Sequence, residues 1–332
     1  MTLLYPTDSI AIFGATGMAG SAISKSLFSY GYTHQLTPTR EDLNLLDSLA
    51  VSGWFNVNRP DIVVLAAAKV GGIQANSDQP VDFLLDNLKI QTNVVESAWK
   101  FGVRRLLFLG SSCIYPKFAP QPIHEEALLD GLLEPTNQSY AIAKIAGIQL
   151  CESLYIQHGF DALCLMPTNL YGDGDNYNEH SSHVFASMIR RFVHAKLNNL
   201  ESVTCWGSGS PMREFLHADD LADAVVFCLK FWDRSLESSP RTAEGKVLSY
   251  LNVGTGTDIT IHDLAHLIAA EVGYQGQILW DTSKPDGTPK KLLDISRLKA
   301  LGWTPSISLK NGVASAIKAY NQTISPSLSL NH

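Results

Sequence analysis

Residues 9–20 read SIAIFGATGMAG, a short apolar run that passes directly into glycines at positions 14, 17 and 20. The residues that follow, SAISKSLFSY, have a helical pattern that ends at Gly31. This order predicts a strand, a tight turn and a helix. Glycine in such a turn lets a pyrophosphate approach the backbone N–H groups and the positive end of the helix dipole. We therefore interpret the segment as a dinucleotide-binding turn; the alternative is an ordinary strand-to-helix connection.

Strands and helices alternate from this turn to about residue 170. Apolar runs recur at 61–67, 105–109 and 162–166, and helical patterns cover 82–101 and about 140–158. Such alternation is typical of a parallel sheet that carries helices on both faces. The sequence therefore predicts an α/β protein with a Rossmann-type, doubly wound parallel sheet.

The pattern changes after residue 170, where a long polar loop is followed by shorter helices and strands. We expect a dinucleotide-binding domain over 1–170, and segments around 215–255 are candidates to return to it. A smaller, partly discontinuous α/β domain that binds substrate is expected mainly over 171–320. Residues 321–332 are expected to form a flexible tail.

The composition is that of a globular protein, since 45% of the 332 residues are hydrophobic and 17% are charged. The net charge is −7 and no basic run exceeds two residues, so neither nucleic acid nor a membrane surface is expected as a partner. Five widely spaced cysteines without a C-x-x-C pair argue against disulfides and against a zinc site. With no basic leader and no apolar run long enough to span a bilayer, we expect a soluble, cytoplasmic protein without a metal.

Position 40 bears on the choice of dinucleotide. A site for NAD carries an acidic residue about 20 positions after the glycine turn, where it bonds the ribose 2′-hydroxyl. Here Arg40 stands at that distance from Gly20. A guanidinium suits a 2′-phosphate, so NADP is favoured over NAD. Glu41 and Asp42 follow directly, which leaves open the NAD alternative and that of a solvated charged loop.

A second group of reactive side chains follows the apolar run at 105–109. Ser111 and Ser112 come directly after it, and Tyr140 and Lys144 form a Y-x-x-x-K pair on one helix face. Ligands of doubly wound sheets bind at the carboxyl ends of the strands. A free phenol has a pKa of about 10, and a nearby ammonium lowers that pKa by favouring the phenolate. Serine, tyrosine and lysine together therefore predict a carbonyl reductase site.

With these motifs, the chain resembles the extended short-chain dehydrogenase/reductases. Longer strings narrow the resemblance to the GDP-L-fucose synthase group of that family, over residues 9–320. These strings are AAAKVGGI (66–73), FLGSSCIYP (108–116), EPTNQSYAIAKIAG (134–147), MPTNLYG (166–172), WGSGSPMREFLH (206–217), NVGTG (252–256) and SKPDGTPKKLLD (283–294).

The resemblance implies an NADPH-dependent enzyme that epimerises and then reduces GDP-4-keto-6-deoxy-mannose. The ketone acidifies the hydrogens on both flanking carbons, so each carbon can be inverted by removal and return of a proton. Cys113 and His183 occupy the positions of the two proton carriers, and both side-chain types have reference pKa values within about two units of neutrality.

The remaining catalytic roles are also implied by the resemblance. Tyr140 protonates the carbonyl oxygen during reduction and stabilises the enolate during epimerisation. Ser111 or Ser112 bonds the same oxygen. Lys144 adjusts the pKa of Tyr140 and holds the nicotinamide ribose.

The resemblance implies contact residues for both ligands. Those expected at NADP(H) are Gly14, Ala15, Thr16, Gly17, Met18, Gly20, Arg40, Asn44, Leu45, Ala67, Leu109, Gly110, Ser111, Ser112, Tyr140, Lys144, Pro167, Thr168, Asn169, Leu170 and His183. Those expected at the GDP-sugar are Ser111, Ser112, Cys113, Asn169, Arg191, Trp206, Arg213 and Asp286. Related proteins can carry an arginine at the position of Thr16, so here Arg40 is the main ligand for the 2′-phosphate and a smaller preference for NADPH is expected. A homodimer through the helices at 82–101 and 140–158 is also implied.

Two other functions stay open at this point. One is a related reductase or epimerase for another GDP-keto-sugar, such as the dideoxy substrate of GDP-colitose formation. The other is a non-catalytic regulator that binds a dinucleotide. The set Ser111, Cys113, Tyr140, Lys144 and His183 disfavours a regulator, because a sensor needs no carbon-acid bases.

Overall fold

The computed structural model describes residues 2–179, 181–284 and 286–328. Its strands are β1 (Ile10–Phe13), β2 (Gln35–Leu36), β3 (Ile62–Leu65), β4 (Arg105–Leu109), β5 (Ala162–Pro167), β6 (Asn169–Tyr171), β7 (Ser202–Trp206), β8 (Met212–His217), β9 (Tyr250–Val253), β10 (Asp258–Thr260), β11 (Gln277–Asp281) and β12 (Lys290–Lys291). Its helices are α1 (Met18–Ser29), α2 (Ser48–Asn58), α3 (Ile73–Asp78), α4 (Pro80–Lys100), α5 (Gln138–His158), α6 (Val184–Leu197), α7 (Ala218–Phe231), α8 (Ile261–Val272), α9 (Ser296–Leu301) and α10 (Leu309–Leu328).

Six strands form one parallel sheet in the order β2-β1-β3-β4-β5-β9. Successive residues of a strand point to opposite faces, and the two faces bury separate apolar clusters. Phe13, Leu65 and Phe108 belong to the cluster that includes residues of α2, α4 and α5. Their neighbours Ile12 and Val64 belong to the cluster that includes residues of α1 and α7. The predicted Rossmann-type, doubly wound sheet is confirmed.

Local sequence features mark the ends of the two long helices α4 and α5. Helix α4 begins at Pro80, which lacks the N–H that a first helical residue leaves unbonded, and it has Lys100 in its last turn, near the negative end of the dipole. Helix α5 ends at Gly159, which adopts φ +68°. Both helices were predicted, and each starts two residues before the predicted position.

A smaller group of elements packs beside the large sheet. Strands β10, β8 and β12 pair in that order, β6 pairs with β8, and β11 pairs with β7. Helices α6, α8 and α10 contribute to a third apolar cluster, which contains Phe192, Leu264 and Val313. Helix α10 continues through Leu328, so residues 321–328 of the expected tail are helical, and residues 329–332 lie outside the described part.

None of the helices in the described ranges is both long enough and apolar enough to cross a membrane.

The Glu214 carboxylate connects three segments of the chain. Glu214 lies on β8 and has no exposed surface. One of its oxygens accepts hydrogen bonds from the N–H groups of Thr255 (2.6 Å) and Gly256 (2.7 Å), and the other accepts one from Leu293 (2.9 Å). Burial raises the pKa of this carboxyl and the backbone hydrogen bonds lower it. The loop after β9 and the segment after β12 are therefore both tied to β8.

Glu214→Ala should destabilise the fold, because it leaves three N–H groups without their acceptors. Each unsatisfied buried donor costs about 1–3 kcal/mol, so we expect the free energy of unfolding to fall by at least about 2 kcal/mol. Urea unfolding measures this change. Glu201→Ala, at an exposed position, is the control and should change stability by less than about 0.5 kcal/mol. An equal effect of the two substitutions would contradict the role given to Glu214.

Candidate active site

The glycine turn brings the end of β1 against the residues that follow β3. Gly14 has φ +90°, and a Cβ atom there would lie 2.7 Å from the backbone nitrogen of Ala67. A Cβ on Gly20 would lie 2.1 Å from the carbonyl oxygen of Gly14. Gly17 precedes α1 and offers no side chain to cap its first N–H groups. This shape fits a dinucleotide, because the open helix start and the absence of side chains leave room for a diphosphate.

The other residues expected at the cofactor lie at the same edge of the sheet, where β3, β4 and β5 end. Ala67 follows β3, and Leu109 is the last residue of β4. Pro167 is the last residue of β5, and Asn169 and Leu170 begin β6. The hydroxyl of Thr168 and the side-chain amide of Asn169 both donate to the backbone oxygen of Glu214, at 3.2 and 2.8 Å. The fold thus gathers residues from 67 to 170 of the sequence at one edge.

Arg40 is exposed and borders a cavity of about 650 Å³. The cavity is lined by Arg40, Asn44, Leu46, Ala68, Lys69, Val70 and Asp86. The carboxylate of Asp42 accepts from the N–H (2.9 Å) and hydroxyl (2.8 Å) of Thr39, and these bonds lower its pKa. Arg40 has no hydrogen bond or ion pair with any residue in the described ranges. The arrangement favours Arg40 over Asp42 as the residue that meets the ribose.

Lys69 is a cation at this cavity that the sequence did not reveal. Its ammonium lies 2.6 Å from Asp82 and 3.9 Å from Asp86. Lys69 stands in the quoted string AAAKVGGI, but no spacing rule connects it with Arg40, which follows another strand. Its two acidic neighbours reduce the positive charge that it adds to the cavity.

Ser111, Cys113 and Lys144 are arranged around the end of β4. The Ser111 hydroxyl accepts from the N–H of Cys113 at 3.3 Å, at the start of a short 3-10 helix (Ser112–Ile114). Cys113 is 7% exposed. The buried Lys144 ammonium donates to the carbonyl oxygen of Leu109 at 2.7 Å and lies 5.8 Å from the ring centroid of Tyr140. The Lys144 ammonium therefore lies at the carboxyl end of β4.

The pKa of Tyr140 differs from the sequence-based expectation. Burial raises the pKa of this phenol, and the nearby Cys113 thiol acts in the same direction. Burial also lowers the pKa of Lys144 to about 8. The expectation that Lys144 lowers the pKa of Tyr140 is wrong for this structure, because burial dominates and the ammonium is bonded to Leu109. Tyr140 therefore stays protonated near neutral pH and suits the role of a proton donor.

His183 stands directly before α6, at the end of the loop that follows β6. Part of the imidazole is exposed, yet the surrounding protein reduces its solvation enough to lower its pKa. The loop is held by Gly72, whose N–H donates to the carbonyl oxygen of Ser181 at 3.1 Å. A Cβ on Gly72 would lie 2.8 Å from the carbonyl oxygen of Ser182, so a side chain there would displace the residues before His183.

The residues expected at the nucleotide part of the substrate form two groups. Trp206 ends β7 and is 54% exposed, and the Arg191 guanidinium lies 5.5 Å from the centroid of one of its rings. Lys284, which the sequence reasoning missed, lies 5.3 Å from a ring centroid of Trp206. These three side chains form a cationic and aromatic surface.

The second group contains Arg213 and Asp286. Burial lowers the pKa of Arg213, and the charge of Asp286 opposes this change. The Asp286 carboxylate accepts from the N–H (2.7 Å) and the hydroxyl (2.8 Å) of Ser208. Binding a sugar hydroxyl would therefore compete with bonds that Asp286 already makes.

Residues 10–239 match the sequence profile of the NAD-dependent epimerase/dehydratase family. The chain belongs to this family. It is 52% identical to GDP-L-fucose synthase of Escherichia coli (strain K12), over 92% of this chain and 94% of that protein. It is 50% identical to GDP-L-fucose synthase 1 of Arabidopsis thaliana, over 95% of this chain and 94% of that protein. The resemblance to the GDP-L-fucose synthase group is confirmed.

Two further relatives are less similar in sequence. A GDP-L-colitose synthase of Yersinia pseudotuberculosis is 35% identical, over 92% of this chain and 95% of that protein. Among solved structures, a GDP-mannoheptose C4 reductase from Campylobacter jejuni with NADP bound has a TM-score of 0.85 at 34% identity, covering 96% of this chain and 99% of that one.

Arg40→Ala should weaken the preference for NADPH over NADH. Because a hydrogen bond to a charged group contributes about 1–3 kcal/mol, we expect the difference in binding free energy between the two cofactors to shrink by that amount. Titration of both cofactors into both proteins measures it. Arg241→Ala, at an exposed position in another loop, is the control. Equal losses for NADPH and NADH would contradict contact with the 2′-phosphate.

Tyr140→Phe should reduce turnover below a tenth of the wild-type value and leave cofactor affinity nearly unchanged. The phenol oxygen supplies the proton, while the ring supplies the packing. Steady-state rates and cofactor titration measure the two effects. Tyr30→Phe removes the hydroxyl of an exposed tyrosine that bonds Asp223, and it should leave the rate unchanged.

Proposed function

We propose that the chain converts GDP-4-keto-6-deoxy-D-mannose to GDP-L-fucose by 3,5-epimerisation and NADPH-dependent 4-reduction. The observation that carries the proposal is the meeting of Ser111, Cys113, Tyr140 and Lys144 at the end of β4. In this group the thiol influences the pKa of the phenol. A plain reductase needs the serine, tyrosine and lysine but has no use for a thiol beside them. Identity of 50–52% to two GDP-L-fucose synthases supports the same reading.

Epimerisation requires that a proton leave and return at each carbon next to the ketone. Cys113 and His183 are the proposed carriers. Reduced solvation lowers the pKa of His183, which favours the neutral imidazole that can accept a proton. Hydrogen bonds from Tyr140 and Ser111 to the ketone oxygen stabilise the enolate that forms when a proton leaves.

Reduction uses the same oxygen. NADPH supplies the hydride that attacks the ketone carbon. Tyr140 then gives its proton to the oxygen, and its raised pKa keeps that proton in place until negative charge develops there. Lys144 is the residue proposed to hold the nicotinamide ribose, and its hydrogen bond to the Leu109 carbonyl at the end of β4 supports this role.

Arg191, Trp206 and Arg213 are proposed to bind the GDP part of the substrate. The guanidinium groups suit the diphosphate and the exposed indole gives an apolar wall. The second candidate is GDP-colitose formation, whose substrate lacks one hydroxyl. The identity to a GDP-L-colitose synthase is lower, at 35%, which favours GDP-L-fucose as the product.

We propose that the protein is a cytoplasmic homodimer built on α4 and α5. Both helices carry exposed apolar side chains, which are Val81, Leu85, Ile142 and Ile156. The five cysteines of the chain are all free and buried, as suits a reducing compartment. Light scattering of the purified protein tests the dimer.

Incubation with GDP-4-keto-6-deoxy-mannose and NADPH tests the main proposal. We expect loss of NADPH absorbance and a product that NMR identifies as GDP-L-fucose. Oxidation of NADPH with a product that keeps the manno configuration at both flanking carbons would overturn the epimerase part. Absence of any turnover would overturn the whole proposal.

Cys113→Ser should separate epimerisation from reduction, because a hydroxyl is a far weaker acid than a thiol. In D2O we expect slower entry of deuterium into the sugar and some wrongly configured 4-reduced product. His183→Gln should also suppress deuterium entry. NMR at both carbons measures the exchange, and Cys205→Ser, at a buried thiol of the third apolar cluster, is the control. Wild-type exchange in both variants would mean that other residues are the bases.

A further inference from the structure

The turn that carries Cys113 is closed by hydrogen bonds among five successive residues. The Ser111 hydroxyl accepts from the N–H of Cys113 at 3.3 Å, and the Ser111 carbonyl oxygen accepts from the N–H of Ile114, also at 3.3 Å. The N–H of Tyr115 donates to the carbonyl oxygen of Ser112 at 3.5 Å. Cys113 is the middle residue of this turn, so the position of its thiol depends on how the two ends of the turn are held.

The two ends of the turn are attached to different strands of the large sheet. Before the turn, the N–H of Gly110 donates to the carbonyl oxygen of Leu165 on β5 at 2.9 Å. After it, the Tyr115 hydroxyl donates to the side-chain oxygen of Asn252 at 2.6 Å, and both side chains are buried. Asn252 lies on β9, and β5 separates β9 from β4 in the sheet. The Tyr115 hydroxyl therefore fixes the turn to a strand that is not a neighbour of β4.

Asn252 is itself held by three other hydrogen bonds. Its side-chain nitrogen donates to the carbonyl oxygens of Ile123 (2.9 Å) and Asp294 (3.1 Å). Its backbone N–H donates to the Glu125 carboxylate at 3.0 Å. Because both protons of the side-chain nitrogen have carbonyl acceptors, the orientation of the amide is determined and its oxygen requires a donor. Tyr115 supplies that donor, so the turn is bonded to a group that cannot readily turn away.

The ring and the hydroxyl of Tyr115 have separate roles. The ring belongs to the apolar cluster that contains Phe108 and Ile114. The hydroxyl makes the one polar contact of the side chain, and burial raises its pKa, so it stays a neutral donor. The proposed mechanism gives this phenol no proton to carry, since Tyr140 protonates the ketone oxygen. Replacement by phenylalanine therefore removes the bond to Asn252 and keeps the packing.

We propose that Tyr115 is a positioning residue for epimerisation, whose hydrogen bond to Asn252 holds the turn that carries the Cys113 thiol. The inference rests on the proposed function, in which this thiol exchanges a proton with a carbon beside the ketone. A displacement of about 1 Å of a reacting group can slow a reaction by about a hundredfold. Hydride transfer depends instead on NADPH and on Tyr140, which lies on α5. Loss of the Tyr115 hydroxyl should therefore slow epimerisation more than reduction.

Tyr115→Phe tests the proposal, with Tyr250→Phe as its matched control. The Tyr250 hydroxyl donates to the backbone oxygen of Glu125 at 2.9 Å, so the control removes a phenol bond close to Asn252 that does not involve the turn. The first measurement is the labelling rate of each cysteine by iodoacetamide, followed by peptide mass spectrometry. Cys113 is 7% exposed and Cys205 is 2% exposed, so Cys205 reports general loosening of the fold.

We expect Tyr115→Phe to raise the labelling rate of Cys113 by about threefold or more, because a turn released at one end opens more often. The rate at Cys205 should stay at the wild-type value, and Tyr250→Phe should change neither rate. A parallel rise at both cysteines would show a general loss of stability and would overturn the positioning role. An unchanged rate at Cys113 would also overturn it.

The second measurement compares deuterium entry into the sugar with NADPH oxidation at saturating substrate. In Tyr115→Phe we expect deuterium entry to slow by about tenfold or more, while NADPH oxidation and KM change by less than about threefold. Tyr250→Phe should behave as the wild type in both. Equal slowing of deuterium entry and NADPH oxidation, or deuterium entry at the wild-type rate, would overturn the proposal.

The two measurements separate this inference from the proposed function. Labelling requires no substrate, so a selective rise at Cys113 supports the anchoring by Tyr115 even in a protein that does not act on the GDP-keto-sugar. Failure of the wild-type protein to turn over that substrate would overturn the proposed function and with it the epimerase role of Tyr115.

If Tyr115→Phe does not fold, amide hydrogen exchange of the wild-type protein tests the anchoring. The N–H of Ile114 should then exchange as slowly as that of Asn252, because the hydrogen bond makes the turn and β9 open together. Exchange of the Ile114 N–H as fast as that of the exposed Glu244 would overturn the proposal.

Discussion

The buried carboxylate of Glu214 is the contact on which the geometry of the cleft depends. It binds N–H groups of the loop after β9, which belongs to the large sheet, and of the segment after β12, which belongs to the small one. The backbone oxygen of the same residue accepts from Thr168 and Asn169, which connect β5 to β6. One residue therefore connects the strand ends at which the cofactor is proposed to bind with the strands of the small sheet.

The parts of this architecture that sequence could predict are those with local causes. A strand, a glycine turn and a helix follow one another within residues 9–31, and Gly14 is required where its Cβ would meet Ala67. Helix α4 has a long apolar stripe, and α5 is followed by a glycine that ends it. The partners of β8 could not be predicted in this way, since they lie at 169–171, 258–260 and 290–291, and nothing local in the sequence pairs them.

The residues of the candidate site also fall into those that the sequence could predict and those that depend on tertiary packing. Ser111, Tyr140 and Lys144 were predicted because they sit in short motifs at a strand end and on one helix face, whereas Cys113 was predicted only from the family resemblance. Lys69 and Lys284 were missed, since each reaches the candidate site only through tertiary packing. The prediction that the pKa of Tyr140 is lowered was also wrong. The spacing of Y-x-x-x-K reveals the neighbouring ammonium but not the burial of the phenol, which raises the pKa.

Burial acts on the protonation states of the site in one consistent way. It disfavours the charged form of every group, so Tyr140 and Cys113 hold their protons more tightly and Lys144 and His183 lose theirs more easily. A neutral phenol suits protonation of the ketone oxygen, and a neutral imidazole suits removal of a proton. The thiol is the exception, because it must be anionic to act as a base in the proposed epimerisation. The charges of Lys291 and Lys144 and the hydrogen bond with Ser111 oppose the effect of burial on its pKa.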